Sequence, residues 1–204
     1  MLVMQPVLET FSTRDFTLWP VAEAGRTDHL VLDGGLTPDE VAAGVMRIAA
    51  SNDLDPEHDG RPPRPGDPLG SFLHGLLTFE DLFVAGGLRV TDTLAGITFA
   101  PGCCHGLEER RAWHDVIEGC GRVSFGHDPD PVAERVGGDV RLIVDCEQGD
   151  SPVIELSVIE LRRLVEGAER DLESFLDLAT SWVSENLPSH VAAVTATLPR
   201  ALDL

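Results

Sequence analysis

Residues 157–186 read SVIELRRLVEGAERDLESFLDLATSWVSEN and decide the fold class, because they carry one unbroken helical pattern. Ser157 and Glu160 have the spacing of a capping box, in which two side chains satisfy backbone amides at the start of a helix. Pro188 ends the pattern, because proline cannot continue a helix. The apolar side chains recur every three or four residues, at Leu161, Leu164, Val165, Ala168, Leu172, Phe175, Leu176, Ala179, Trp182 and Val183. Such a stripe predicts a long helix that packs across a sheet.

Short alternating runs elsewhere in the chain predict the strands of that sheet. Residues 88–90 and 97–99 flank the turn segment 93–96, as in an antiparallel hairpin. The other strand candidates are residues 16–19, 29–32, 123–125, 132–136, 139–146 and 153–156. Residues 132–136 and 139–146 are predicted to form a second hairpin across Gly137-Gly138. We therefore predict an α+β fold, with an antiparallel sheet of about five to seven strands and the long C-terminal helix packed across it.

Two further helices are predicted from capping signals and apolar spacing. Thr37 and Glu40 form a capping box ahead of an apolar face, with proline at the favoured first position. A second helix is expected over residues 107–119, where apolar side chains recur at helical spacing. Residues 192–198 are expected to form either a short helix or a loose tail.

Residues 51–68 are rich in proline, glycine and acidic residues, and they predict a mobile surface loop without regular structure. The D-x-E-x-D pattern at 55–59 imitates the start of a calcium-binding loop, but Gly66 stands where the bidentate glutamate would be. We expect no calcium site here. We expect one domain over residues 1–204, with this acidic loop within it.

The charge balance narrows the classes of function. The chain has 35 acidic and 15 basic residues, a net charge of -20, and every basic residue is arginine. Without lysine there is no Schiff base and no phosphate-binding lysine of a P-loop. A strongly negative surface argues against nucleic acid and favours a basic protein partner. The chain shows no apolar run of membrane-spanning length and no basic leader, so we expect no membrane association and a cytoplasmic location.

The four cysteines separate into two groups. Cys120 continues the apolar stripe of the predicted 107–119 helix, and Cys146 shares a strand face with apolar residues, so both are predicted to be buried in the core. Cys103 and Cys104 follow Pro101-Gly102, between a predicted strand and a predicted helix. The positions of these two cysteines follow from a predicted turn and not from an apolar pattern. Such a junction can present reactive groups on a rigid base.

Three interpretations of this pair remain open. His105, His114 and His127 could complete a zinc site, although adjacent cysteines are an unusual ligand pair. A thiol nucleophile could use a nearby histidine as base, although Glu108 at the following helix start opposes a thiolate. The third interpretation is a tight structural turn, in which glycines supply unusual backbone angles and the small cysteines pack under the hairpin.

We expect the Cys103–Cys104 turn to lie beside the turn at residues 127–131, because the connection between them is short. His127 and Asp128 are either an acid–base pair or part of a proline-rich turn. The candidate binding residues are Cys103, Cys104, His105, Glu108, His127 and Asp128. No residue is assigned a catalytic or metal-ligating role, and no cofactor is assigned, with zinc as the alternative. The motifs of serine hydrolases, dinucleotide-binding folds and zinc proteases are absent from the sequence.

Several segments together resemble a group of uncharacterised actinobacterial proteins. They are Gly87-Leu88-Arg89, Pro101-Gly102-Cys103-Cys104-x-Gly106-Leu107-Glu108, Trp113 and Gly126-His127-Asp128-Pro129-x-Pro131. This resemblance covers about the middle third of the chain and implies a shared domain but no activity. The acidic α+β composition is also loosely similar to that of bacterial toxin-immunity proteins.

These observations favour an acidic protein-binding module over an enzyme. Such a module would be an immunity or regulatory protein that neutralises a basic partner, with charge accelerating association. The alternative is a metal- or thiol-dependent enzyme centred on the Cys103–Cys104 turn and His127.

Overall fold

The computed structural model describes residues 1–10, 15–23, 29–58 and 60–204. The strands are β1 (Leu2–Glu9), β2 (His29–Val31), β3 (Gly86–Asp92), β4 (Ile97–Phe99), β5 (Arg122–Ser124), β6 (Val132–Val136), β7 (Asp139–Ile143) and β8 (Val153–Ser157). The helices are α1 (Pro38–Ala50), α2 (Pro68–Thr78), α3 (Arg111–Glu118), α4 (Val158–Asn186) and α5 (Val191–Ala201). Short 3-10 helices cover Pro56–His58 and Leu107–Arg110. The fold class is α+β, as predicted.

The strands form two four-stranded antiparallel sheets, with orders β2-β1-β3-β4 and β5-β6-β7-β8. The prediction of one sheet with five to seven strands was therefore wrong. Both predicted hairpins are present, with Val90 opposite Phe99 in β3–β4 and Val136 opposite Asp139 in β6–β7. The chain leaves β4 through a helical segment instead of a hairpin, so β5 begins a new sheet. A hairpin signal in the sequence predicts that two consecutive strands pair. It does not predict which strands pair when a helical segment separates them.

Residues 16–19 are not a strand. Their aromatic rings pack on other rings: the Phe16 and Trp19 centroids are 4.8 Å apart, and those of Phe16 and Phe72 are 5.3 Å apart. The apolar content that suggested a strand therefore reflects burial of aromatic side chains in an irregular segment.

The chain divides into two compact units. Unit 1 comprises Met1–Val7 and Gly86–Asp171, and unit 2 comprises Leu8–Ala85 and Leu172–Leu204. The core of unit 1 combines strand residues such as Val90, Leu142 and Leu156 with the helical residues Trp113 and Leu161. The first half of α4 thus packs on strands, which is the role predicted for the long helix.

Helix α4 matches its predicted bounds closely, and the amide of Glu160 donates to the Ser157 hydroxyl at 3.1 Å. Its second half belongs to unit 2, where Leu172, Phe175 and Val183 are buried. Helix α1 begins with the predicted Thr37 capping box. Helix α5 shows that residues 192–198, for which a short helix or a loose tail was expected, are helical.

The 51–68 segment is more structured than predicted. It contains the 3-10 helix Pro56–His58, and α2 begins at Pro68. The guanidinium of Arg61 lies 3.5 Å from the centre of the Phe79 ring and donates to the Thr78 hydroxyl at 3.1 Å. Arginine side chains thus supply the anchor that composition alone does not reveal. Asp59 of the calcium-like pattern lies outside the described residues. In the described part of the chain, no helix is long and apolar enough to cross a membrane.

Candidate functional site

Two turns of unit 1 are joined by backbone hydrogen bonds. The amide of Gly102 donates to the carbonyl of Phe125 at 2.8 Å, and the amide of Cys103 donates to the carbonyl of His127 at 2.6 Å. The amide of His127 donates a 3.3 Å hydrogen bond to the carbonyl of Cys103, which completes an isolated antiparallel bridge. The predicted proximity of the Cys103–Cys104 turn to the His127 turn is therefore confirmed. We call residues 101–106 and 126–130 together the paired turns.

Two glycines allow this close approach. A Cβ atom on Gly102 would lie 2.4 Å from the carbonyl oxygen of Pro129 and 2.7 Å from the amide nitrogen of His127. Gly126 has φ +110°, and a Cβ there would lie 2.8 Å from the Gly102 carbonyl carbon. Any larger residue would force the backbones apart. Glycine is needed at position 102 because there is no room for a Cβ atom. The sequence had suggested an unusual backbone angle as the reason.

The paired turns rest on a rigid base. Phe125, which accepts the Gly102 bond, is 1% exposed and stacks on Trp113 at a centroid separation of 4.3 Å. Phe99 contacts both rings, at 5.6 Å from each. This aromatic cluster fixes the backbone on which the exposed side chains are mounted.

Each turn also holds a non-glycine residue in a left-handed conformation. Cys104 has φ 60° and Asp128 has φ 50°. A side chain in this region costs about 1–2 kcal/mol, since its Cβ crowds the following carbonyl oxygen. Such residues cluster at functional sites, where surrounding contacts compensate for the strain.

Three potential metal ligands converge on the exposed side of the paired turns. The ligand atoms of Cys103, Cys104 and His127 all lie within 4.8 Å of one another, and all three residues are exposed. The two Sγ atoms are 3.4 Å apart. A tetrahedral zinc ion with bonds of about 2.3 Å holds two sulfur atoms about 3.8 Å apart. The difference of about 0.4 Å is within reach of small side-chain rotations.

Asp128 and Asp130 place carboxylates beside the histidine. The Asp128 Oδ2 atom is 3.4 Å from Nδ1 of His127, and both side chains are largely exposed. Asp130 accepts hydrogen bonds from Cys146 at 2.9 Å and from Ser124 at 3.0 Å. These two bonds, first that of Cys146 and then that of Ser124, lower the pKa of Asp130, and the nearby charges of Arg122 and His127 act in the same direction. Carboxylates next to a histidine are typical outer partners of metal sites.

The remaining two cysteines do not occupy the core positions predicted for them. Helix α3 ends at Glu118, and Gly119 adopts φ +111°, so Cys120 leaves the helical stripe and is exposed. Strand β7 ends at Ile143, before Cys146, which is half-buried. The hydrogen bond that the Cys146 thiol donates to Asp130 raises the pKa of that thiol. Both predictions were wrong because the apolar pattern was continued past the end of the element: helix α3 ends before Cys120, and strand β7 ends before Cys146.

The candidate residues His105 and Glu108 are not part of the ligand group. His105 is 2% exposed, with Nδ1 3.1 Å from the Glu109 carboxylate and its ring 5.6 Å from Phe125. Burial lowers the pKa of His105, and Glu109 opposes that change. Glu108 is half-buried, and its carboxylate lies over Gly106, where a Cβ would come within 2.2 Å of Oε1. Asp130, Ser124 and Cys146 were missed as neighbours, because contacts between separate loops leave no local pattern.

The paired turns therefore offer two soft sulfur donors and one imidazole nitrogen, with carboxylates nearby. This donor set suits zinc and related thiophilic ions. Comparison of the chain with protein-family models, with curated proteins and with solved structures finds no match in any of the three.

Proposed function

We propose that the paired turns bind a thiophilic divalent metal ion, of which zinc is the prime example, through Cys103, Cys104 and His127. The observation that carries this proposal is the convergence of the three ligand atoms within 4.8 Å of one another. The sequence suggested zinc only as an alternative, because adjacent cysteines are an unusual ligand pair. The left-handed Cys104 turn supports the proposal, since it leaves both sulfur atoms close to one imidazole.

The electrostatics of the site favour a cation. Two thiolates and a neutral imidazole balance the charge of a divalent ion, and the chain as a whole carries a net charge of -20. The same negative field opposes an isolated thiolate, whereas a bound cation stabilises it. Binding of the ion therefore displaces protons from the thiols, and affinity should rise with pH.

Three protein ligands leave one tetrahedral position open. In structural zinc sites the protein fills all four positions, whereas catalytic sites keep one for water or substrate. The exposed paired turns thus present a position that water or a ligand from a partner molecule can take.

The test is a cobalt titration of the reduced protein, because sulfur–cobalt bonds give a charge-transfer absorption band. We expect one equivalent to bind with this band. We expect Cys103→Ser, Cys104→Ser and His127→Ala each to weaken binding by at least about tenfold, as loss of one ligand bond implies. Cys120→Ser is the matched control, since Cys120 is an exposed thiol outside the group. A titration in which the double variant Cys103→Ser, Cys104→Ser keeps the band would overturn the proposal.

A second proposed function is binding of a basic protein, as an immunity or regulatory protein would do. Its support is the net charge of -20 together with the exposed acidic residues Glu173, Asp177 and Glu185 in the second half of α4. Negative charges arrayed on one helix steer a cationic partner and accelerate encounter.

A triple neutral variant of these residues, Glu173→Gln, Asp177→Asn and Glu185→Gln, tests this function. The control removes three other exposed charges, Glu147→Gln, Asp150→Asn and Glu155→Gln. With a small basic protein such as lysozyme as the probe at low salt, we expect the α4 variant to lose more affinity than the control. Equal losses of affinity in the two variants would mean that only the net charge matters. That result would overturn the proposal that α4 carries a binding surface for a basic protein.

A further inference from the structure

The two exposed sulfur atoms that would bind the ion are also close enough to react with each other. Cys103 and Cys104 are adjacent in sequence, both are exposed, and their Sγ atoms are 3.4 Å apart. We propose that they form a reversible vicinal disulfide, and that this bond switches the metal site off. The proposal rests on the metal-binding function above and adds regulation to it.

Bond lengths make the two states mutually exclusive. A disulfide holds its sulfur atoms about 2.0 Å apart, so the observed pair must close by about 1.4 Å. A tetrahedral metal ion needs the same atoms about 3.8 Å apart and as thiolates. Once the disulfide forms, the site loses two of its three ligands.

Adjacent cysteines also favour reversal of the bond. Consecutive Cα atoms are about 3.8 Å apart across a trans peptide, whereas ordinary disulfides join Cα atoms about 4.4–6.8 Å apart. A vicinal disulfide is therefore strained, and strained, exposed disulfides are the readily reduced ones. This suits a switch better than a structural cross-link.

The oxidation balances with hydrogen peroxide as the oxidant. One thiolate attacks a peroxide oxygen, the O–O bond breaks, and the cysteine becomes a sulfenic acid as one water is released after protonation. The neighbouring thiol then attacks the sulfenic sulfur, the S–S bond forms, the S–O bond breaks, and a second water leaves with the thiol proton. Two thiols and one peroxide thus give one disulfide and two waters. A dithiol reductant reverses the change by thiol–disulfide exchange.

The chain supplies its own control thiols. Cys120 is exposed, like the pair, but has no adjacent cysteine, and the Cys146 thiol donates a hydrogen bond to Asp130. Cleavage after arginine places the pair in the peptide 90–110, Cys120 in 112–122 and Cys146 in 142–162. Each cysteine environment can therefore be followed separately in one digest.

The first arm of the experiment uses metal-free protein, one equivalent of peroxide, alkylation and mass spectrometry. We expect the peptide 90–110 to lose two hydrogens and to take up no alkylating agent, while Cys120 and Cys146 remain alkylated. A peptide 90–110 that carries sulfinic acid, links to a second chain or alkylates as fully as Cys120 would overturn the disulfide.

The second arm uses the cobalt-loaded protein. We expect the charge-transfer band to fall as the disulfide forms, and to return after dithiothreitol and fresh cobalt are added. A band that persists in fully oxidised protein would overturn the switch. A disulfide in protein that never shows the band would overturn the metal site, and with it the metal switch, but not the disulfide.

Discussion

The paired turns and the 51–68 loop are both rich in glycine and proline, yet they are held in opposite ways. In the paired turns, backbone hydrogen bonds between Gly102, Cys103 and their partners fix the chain. In the loop, Arg61 reaches Phe79, Thr78 and the carbonyl of Leu54 with its guanidinium. Where the backbone supplies the contacts, side chains stay available for ligands. Where side chains supply them, little remains for chemistry.

Arg64 illustrates the second case. Its guanidinium donates to the Ser71 carbonyl at 2.9 Å and to the Leu54 carbonyl at 3.0 Å, and it also pairs with Asp53. The carboxylate of Asp53 is thus used to hold the loop. Asp55 likewise accepts a 3.0 Å bond from the amide of Glu57. Acidic composition alone therefore does not show which carboxylates are available to a cation.

The largest expected effect comes from breaking the backbone contact of the paired turns. Gly102→Ala places a methyl group 2.4 Å from the Pro129 carbonyl, and we expect a loss of about 3 kcal/mol of unfolding free energy, as for overpacked cores. Urea unfolding measures it. The control is Gly138→Ala, which meets nothing within 4 Å and should change stability by less than about 0.5 kcal/mol. Equal midpoints for the two variants would contradict a backbone-held site.

The loop is tested by removal of its arginine anchor. Arg61→Ala deletes a cation–π contact worth about 0.5–1 kcal/mol and hydrogen bonds worth about 1 kcal/mol in all. We expect amide exchange in residues 53–58 and 60–67 to accelerate by about tenfold, since local opening becomes easier. Arg61→Lys should give a smaller change, because lysine keeps the charge and loses the planar fork. Unaltered exchange in Arg61→Ala would show that the side chain does not hold the loop.

A third prediction concerns His105, the buried histidine of the paired turns. Burial lowers its pKa from 6.5 in the folded state, so on acidification below about 6.5 the unfolded chain takes up a proton first. The stabilisation that comes from neutral His105 is therefore fully present above about pH 6.5. It decreases as the pH falls, until the pH is below the pKa of His105 in the folded state. One proton contributes at most about 1.4 kcal/mol per pH unit.

Comparison of pH profiles isolates this contribution. We expect His105→Gln to flatten the profile of unfolding free energy between pH 7 and pH 5 relative to the wild type. His114→Gln is the control, because the His114 side chain is 45% exposed and pairs with Glu169 at 3.0 Å. If His105→Gln keeps the full wild-type slope, His105 is not the buried group that titrates.

The smallest expected effect separates the thiols around the paired turns. The bond to Asp130 raises the pKa of Cys146, so at pH 7.5 Cys146 should be alkylated several-fold more slowly than exposed Cys120. Asp130→Asn should narrow that difference, because it removes the negative acceptor. Digestion and mass spectrometry give both rates from one sample. Similar rates in the wild type, or a ratio that Asp130→Asn leaves unaltered, would contradict the assigned hydrogen bond.

The candidate site could be predicted only in part. Its pair of cysteines and His127 stood out because turn residues, rather than an apolar pattern, place them. His105 and Glu108 were included by sequence proximity, yet the short Leu107–Arg110 helix follows directly and His105 is buried. Direction of a side chain at a turn depends on backbone angles that sequence spacing does not specify.

Local patterns in the sequence suffice to predict several of the helices and hairpins. The capping box at Thr37, the hairpin across Gly137 and Gly138, and the stripe of α4 each depend on residues a few positions apart, so local propensity and periodicity suffice. The tertiary structure decided the division of the strands into two sheets, the arginine anchor of the 51–68 loop and the convergence of three ligand atoms at the paired turns. The physical reason is that these features depend on packing between segments distant in sequence. The space left beside Gly102 exists only once the His127 turn has folded against it.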